Sequence, residues 1–240
     1  MPAVLHRRRH ARRLIGPVET YIYFAMAATI SRLVPLAIGA RRWEAIAHAG
    51  RLLCAFIALS FAGDVVQFVF ARMSRNNQWV SHLLIAVQTP VLLLAFADWA
   101  GASRLRRILI VTAVAAVGGW LVLTLAFESS TRFARVTGPI QAALFCVAAI
   151  AVLVRRGLAA DAPLVTADWF WVGIAVLGLY GLTAVYRPLL DLFTARGVTA
   201  IPAWTVLKAL VLLQVTANLL YARGLYVAGR FPVRAAPAPA

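Results

Sequence analysis

Long apolar runs alternate along this chain with short clusters of arginine and turn-forming residues. The runs fall at roughly 18–40, 47–72, 78–100, 105–127, 135–154, 168–194 and 202–225. A helix of about 20 residues crosses a hydrocarbon core about 30 Å thick, and each run reaches that length. Membrane strands would alternate in polarity and break every ten residues or so; these runs do neither. The pattern therefore predicts an all-α, polytopic transmembrane bundle of seven helices over 17–226. A basic tail is expected over 1–16 and a disordered, Pro- and Ala-rich tail over 227–240. The first run is too long for the apolar segment of a signal peptide and lacks an obvious cleavage site, so it reads as the first helix.

Composition removes the soluble alternative. Hydrophobic residues make up 62 % of the chain and charged residues 13 %, too little polar surface for a water-exposed domain of this size. The net charge of +16 suggests nucleic acid at first sight. Its placement argues for membrane lipids instead and against a nucleic-acid partner, because the arginines occupy the breaks between apolar runs. Arg41 and Arg42, Arg104, Arg106 and Arg107, and Arg155 and Arg156 share one side of the membrane. That places the N-terminus outside and the C-terminus inside, although the HRRRHARR stretch at 6–13 opposes it.

Ionisable groups at depth cost about 3 kcal/mol each on insertion scales, so they are the candidate functional residues. Helix two carries Ser60, Asp64 and Gln67 on one narrow stripe; helix six carries Tyr180, Thr183, Arg187 and Asp191, with Pro188 beside the charge. His82 lies early in helix three, and Lys208, the sole lysine, early in helix seven. Counting residues from the helix ends puts Asp64, Gln67, His82, Arg187, Asp191 and Lys208 in one half of the membrane. Asn76, Asn77 and Trp79 stand at its mouth, while Arg32, Asp98 and Asn218 are expected in the opposite half. The functional reading is a one-sided ligand pocket in which Asp64 and Asp191 balance Arg187 and Lys208, with His82 at the rim. The structural alternative is that the same residues pair within the bundle and fix helix register.

Other signals are bland. Trp43, Trp79, Trp99, Trp169 and Trp204 fall near helix ends, as an interfacial aromatic belt would have them. Gly173, Gly178 and Gly181, and Ala115 with Gly119, suit close helix packing. Cys54 and Cys146 read as packing residues. His48 lies at the far end of helix two from His82, so no histidine pair offers a metal site, and no metal or cofactor is expected. The sequence contains no HExxH, GxSxG, Walker A or glycine-rich dinucleotide loop.

NNQWVSH at 76–82 and ANLLYARGLY at 217–226, together with Pro35 in helix one and the basic 1–2 loop, resemble an uncharacterised family of bacterial seven-helix membrane proteins. That resemblance implies the same fold and the bacterial inner membrane, and brings no activity with it. A weaker likeness to microbial rhodopsins rests on seven helices, the lone lysine of the last one and TPVLLLAFADW at 89–99. It would put a retinal Schiff base on Lys208, but the acidic residue expected one turn earlier is Trp204, and Leu84 stands at the counterion position of helix three. The expected function is a ligand-binding, sensory or accessory membrane protein working with a separate membrane or cytoplasmic partner. A small proton- or ion-coupled transporter, and a membrane-embedded enzyme acting on lipids with Asp64 and His82 as base and acid, are the alternatives.

Overall fold

The structure, a computed structural model, describes residues 23–129, 131, 134–160, 162–195 and 203–229, and it describes no side chains for 186–195 and 203–207. The residues of the two expected tails, apart from 227–229, lie outside this set. Seven helices are long and apolar enough to span a membrane. They are α1 (Tyr23–Arg41), α2 (His48–Arg72), α3 (Gln78–Ala100), α4 (Arg104–Ala126), α5 (Thr137–Leu158), α6 (Asp168–Ala195) and α7 (Ala203–Val227). A single 3₁₀ turn, Leu164–Thr166, precedes α6. No strand occurs among the described residues. The apolar runs thus became helices, because in lipid a helix satisfies its own backbone; α5 continues four residues past its run, through Arg155 and Arg156 to Leu158.

Helix ends follow local chemistry. Gly101 sits at φ +68°, which lets the chain reverse between α3 and α4, and Ser103 Oγ then accepts from Arg106 N at 3.2 Å as the N-cap of α4. Prolines lie inside four of the helices: Pro35 in α1, Pro90 in α3, Pro139 in the first turn of α5 and Pro188 in α6. Pro35 removes an amide from α1 and its ring crowds the carbonyl one turn back, so the helix is interrupted at Arg32. Pro90 is accommodated within α3, where Thr89 Oγ1 donates back to Ile85 O at 2.5 Å.

Neighbouring helices form a closed circuit, α1–α2–α3–α5–α6–α7 and back to α1, with α4 packed outside against α3. α3 is the most buried helix and α4 the least. The apolar core is unevenly placed along the bundle axis. Leu53, Phe56 and Ile57 of α2, Leu92, Leu93 and Phe96 of α3, Phe145 and Val152 of α5, Val172 and Val176 of α6 and Leu225 of α7 fill one half. Beyond Gly63 on α2, Val65, Val66, Phe68 and Val69 are all exposed, so the bundle loosens toward the α2–α3 turn.

Two bland expectations change. Trp99 and Trp169 do not join an interfacial belt; they are 5 % and 6 % exposed, because the indole of Trp99 donates to Asp168 inside the bundle. Trp43 and Trp79 are exposed as a belt requires. Among the glycines, Gly173 is in tight contact with Leu153 of α5, whereas Gly119 and Gly178 face open space.

Gly229, just past α7, combines φ +70° with a position where a Cβ would lie 2.4 Å from the carbonyl oxygen of Ala45. Backbone cannot yield as a side chain does. Gly229→Ala is expected to cost about 1–2 kcal/mol, read as a lower thermal midpoint in detergent.

Candidate functional site

Because α1 breaks at Arg32, that residue's amide bonds to Thr29 O at 3.2 Å rather than one residue further back. The carbonyl of Ala28 is released from the helix ladder, and it accepts from Ser31 Oγ at 2.7 Å and from Asn218 Nδ2 of α7 at 3.3 Å. Asn218 also donates to Ser31 Oγ at 2.7 Å. On the other side of the break Arg32 forms an ion pair with Asp64 of α2 and donates to Ser60 O at 2.9 Å. Thr29 Oγ1 donates to the same carboxylate at 2.9 Å, and Gln88 of α3 reaches Ser60 Oγ at 2.9 Å. A polar centre therefore ties α1, α2, α3 and α7 together at depth, where each of these groups would be costly alone.

The pairing of Arg32 with Asp64 joins residues whose backbones stand in different halves of the membrane, as the sequence expects. By backbone rise, Arg32 stands about 14 Å above the end of α1, and Asp64 about 24 Å above the start of α2. Side chains lean toward the N-terminus of their own helix. In this antiparallel pair, Arg32 leans up and Asp64 leans down, and the length of the arginine closes the gap.

Tyr221 of α7 is 1 % exposed, and its hydroxyl has no hydrogen-bond partner among the described residues. An unpaired buried hydroxyl is a cost. Tyr221→Phe is expected to leave stability unchanged or raise it by about 1 kcal/mol, measured by unfolding in mixed micelles.

A second buried pair lies closer to the α2–α3 turn. His82 Nδ1 is 3.6 Å from Glu128 Oε2, and both side chains are 3 % exposed. Glu128 comes from the α4–α5 loop and caps α5 from a distance: Oε1 accepts from Val136 N at 2.5 Å and Thr137 N at 3.1 Å, and Oε2 from Thr137 Oγ1 at 2.6 Å. The carboxylate thus answers the unbonded amides and positive end of α5. One turn deeper, Gln141 Nε2 donates to Thr89 Oγ1 at 3.0 Å.

At the opposite end of the bundle, beyond the apolar core, opens a cleft of about 610 Å³. Its wall takes residues from the ends of six helices and from the α1–α2 loop, including His48, Asp98, Trp99, Arg106, Arg156 and Asp168. Consecutive residues at the end of α3 organise it. Asp98 pairs with His48 and lies 3.7 Å from Arg106. Trp99 donates through Nε1 to Asp168 at 3.0 Å, while its carbonyl accepts from Arg156 Nε at 2.6 Å. Two carboxylates and two guanidinium groups are thereby fixed around one hollow.

Of the sequence-derived candidates, Asp64 and His82 are placed in separate polar clusters. The Gln67 side chain is half-buried, and its backbone carbonyl accepts from Asn77 Nδ2 at 3.0 Å. Lys208 is exposed, whereas a Schiff-base lysine would have to point into an enclosed interior. Arg187 and Asp191 lie on α6, and their side chains lie outside the described set. Sequence reasoning missed Glu128, Asp168 and the cleft. A signal was present: the chain has 8 acidic residues against 24 basic ones, so a carboxylate near a helix end is a candidate for pairing.

Seven apolar spans with charges paired at depth define a multi-pass helical membrane protein. Beyond that class, comparison with family models, curated proteins and solved structures gives no match to this chain.

Proposed function

We propose that this protein is a ligand-binding subunit of the bacterial inner membrane, sensory or accessory in role, that acts with a separate protein partner. The observation that carries this reading is the cleft between the helix ends, a concave site of ligand size into which His48, Asp98, Arg106, Arg156 and Asp168 converge. Its end of the bundle also holds the arginine-rich loops, which favours the N-out, C-in orientation and a cleft open to the cytoplasm. The bacterial membrane is supported by the likeness of 76–82 and 217–226 to the seven-helix family.

Native mass spectrometry of protein purified in mild detergent tests the reading. A bound small molecule is expected at one per chain, and its occupancy should fall at least tenfold in Arg156→Gln and in Asp168→Asn. Equal occupancy in the wild type and both variants would remove the ligand from the cleft.

A proton-coupled transporter is the second reading, favoured by the interruption of α1 beside the Arg32–Asp64 pair. It requires solute flux in proteoliposomes that follows an imposed pH gradient and stops in Asp64→Asn.

A further inference from the structure

We propose that the cleft ligand is a small soluble zwitterion carrying an ammonium group and a carboxylate or phosphate a few atoms apart. This inference rests on the cleft being the binding site and names what it takes.

The charges around the cleft are balanced rather than of one sign. Asp98 and Asp168 supply carboxylates, and Arg106 and Arg156 supply guanidinium groups. Each carboxylate has about four acceptor positions. Asp98 meets His48 and Arg106, and Asp168 accepts from Trp99 Nε1 and from Trp169 N at 2.9 Å, so neither exhausts its capacity. Arg156 spends Nε on the Trp99 carbonyl and keeps both terminal amino groups. One of these lies 3.8 Å from the point where a Cβ on Gly101 would stand, so glycine leaves room beside the guanidinium. The first turn of α2 adds His48, has no acidic residue and has no side-chain cap, so its amides also present positive potential to the hollow.

Those two sets of charges sit side by side, because the single residue Trp99 holds Asp168 through its indole and Arg156 through its carbonyl. A simple anion entering here would face two carboxylates, and a simple cation would face two guanidinium groups. Only a ligand with both charges meets a complementary partner at each end, which is how a site rejects its near analogues. The source is the aqueous phase. Helix ends surround the hollow, whereas a lipid headgroup would have to enter sideways between helices.

The test uses full-length protein in phosphatidylglycerol nanodiscs and three matched probes at fixed ionic strength: γ-aminobutyrate, butyrate and butylamine. γ-Aminobutyrate is expected to raise the thermal midpoint at concentrations at least tenfold below those needed by the other two. Its effect should be lost in Arg156→Gln and, separately, in Asp168→Asn. Butyrate or butylamine acting equally well would overturn the zwitterion while leaving the cleft as a site for that single charge. Loss of the γ-aminobutyrate effect on moving to phosphatidylethanolamine nanodiscs would overturn the soluble source in favour of a lipid headgroup. Should no probe act, native mass spectra separate the two failures. An endogenous mass lost in Arg156→Gln overturns only the ligand class, and a clean spectrum overturns the cleft reading as well.

Discussion

Replacing Glu128 with alanine is expected to destabilise the protein by about 3 kcal/mol, the largest effect of any single substitution considered for this chain. The carboxylate is 3 % exposed and does three things at once. It accepts both amides at the start of α5, it accepts the Thr137 hydroxyl, and it lies against His82. Alanine leaves those donors buried without an acceptor, and no side-chain cap on α5 stands in for it. Glu128→Gln keeps one acceptor oxygen for the amides but turns an NH₂ group toward Thr137 Oγ1 and His82. About half the loss should remain in that variant. Unfolding in mixed micelles gives the magnitude, and hydrogen exchange at residues 136–140 locates it. Unchanged exchange there in Glu128→Ala would show that the carboxylate does not hold the start of α5.

Breaking the Arg32–Asp64 pair comes second. Asp64→Ala removes the counter-charge from an arginine whose side chain is 11 % exposed and takes the acceptor from Thr29. Fully buried pairs cost about 3–5 kcal/mol when one partner is removed. Asp64 keeps 31 % of its side chain exposed, so screening reduces the expectation to about 2–3 kcal/mol. Arg32→Met should behave similarly, because Asp64 then loses its cation. The double variant Arg32→Met with Asp64→Leu removes both charges together and should lie within about 1 kcal/mol of the wild type. The cycle is closed with Asp64→Leu as the matching single variant: if its loss and that of Arg32→Met simply add in the double, the residues do not act as a pair. The consequence is structural before it is functional. α1 contributes little to the apolar core, and its polar attachments at Ser31, Arg32 and Arg42 carry much of its hold on α2 and α7.

The His82–Glu128 pair stands in the loosened half of the bundle and the Arg32–Asp64 centre near mid-depth, while the cleft lies beyond the apolar core at the other end. Leu92, Leu93, Phe96, Phe145 and Val176, all buried, separate the polar interior from the cleft. Any communication between them must therefore pass through helix movement rather than through a continuous line of polar groups. α3 is the element in position for it: it carries His82, Gln88 and Thr89 toward one end and Asp98 and Trp99 at the other.

Hydropathy alone determined the class and the number of spans, because a backbone in lipid has almost no option but the helix. α2 and α3 begin and end within a residue of where their apolar runs do. The sequence also marked Asp64 and His82 as residues needing partners, since a charge or imidazole in an apolar run must be answered by something. What it left undetermined was the identity of those partners. Residue counting treats side chains as points on an axis, and the lean of Arg32 and Asp64 toward each other is invisible to it. Glu128 reads as a loop residue until the α4–α5 connection folds back over the start of α5. The cleft is more remote still from the sequence: His48, Asp98, Arg106, Arg156 and Asp168 come from five helices and share no spacing. Helices are local and follow from the period of the chain, whereas a site assembled from helix ends depends on which helix neighbours which, and only tertiary packing decides that.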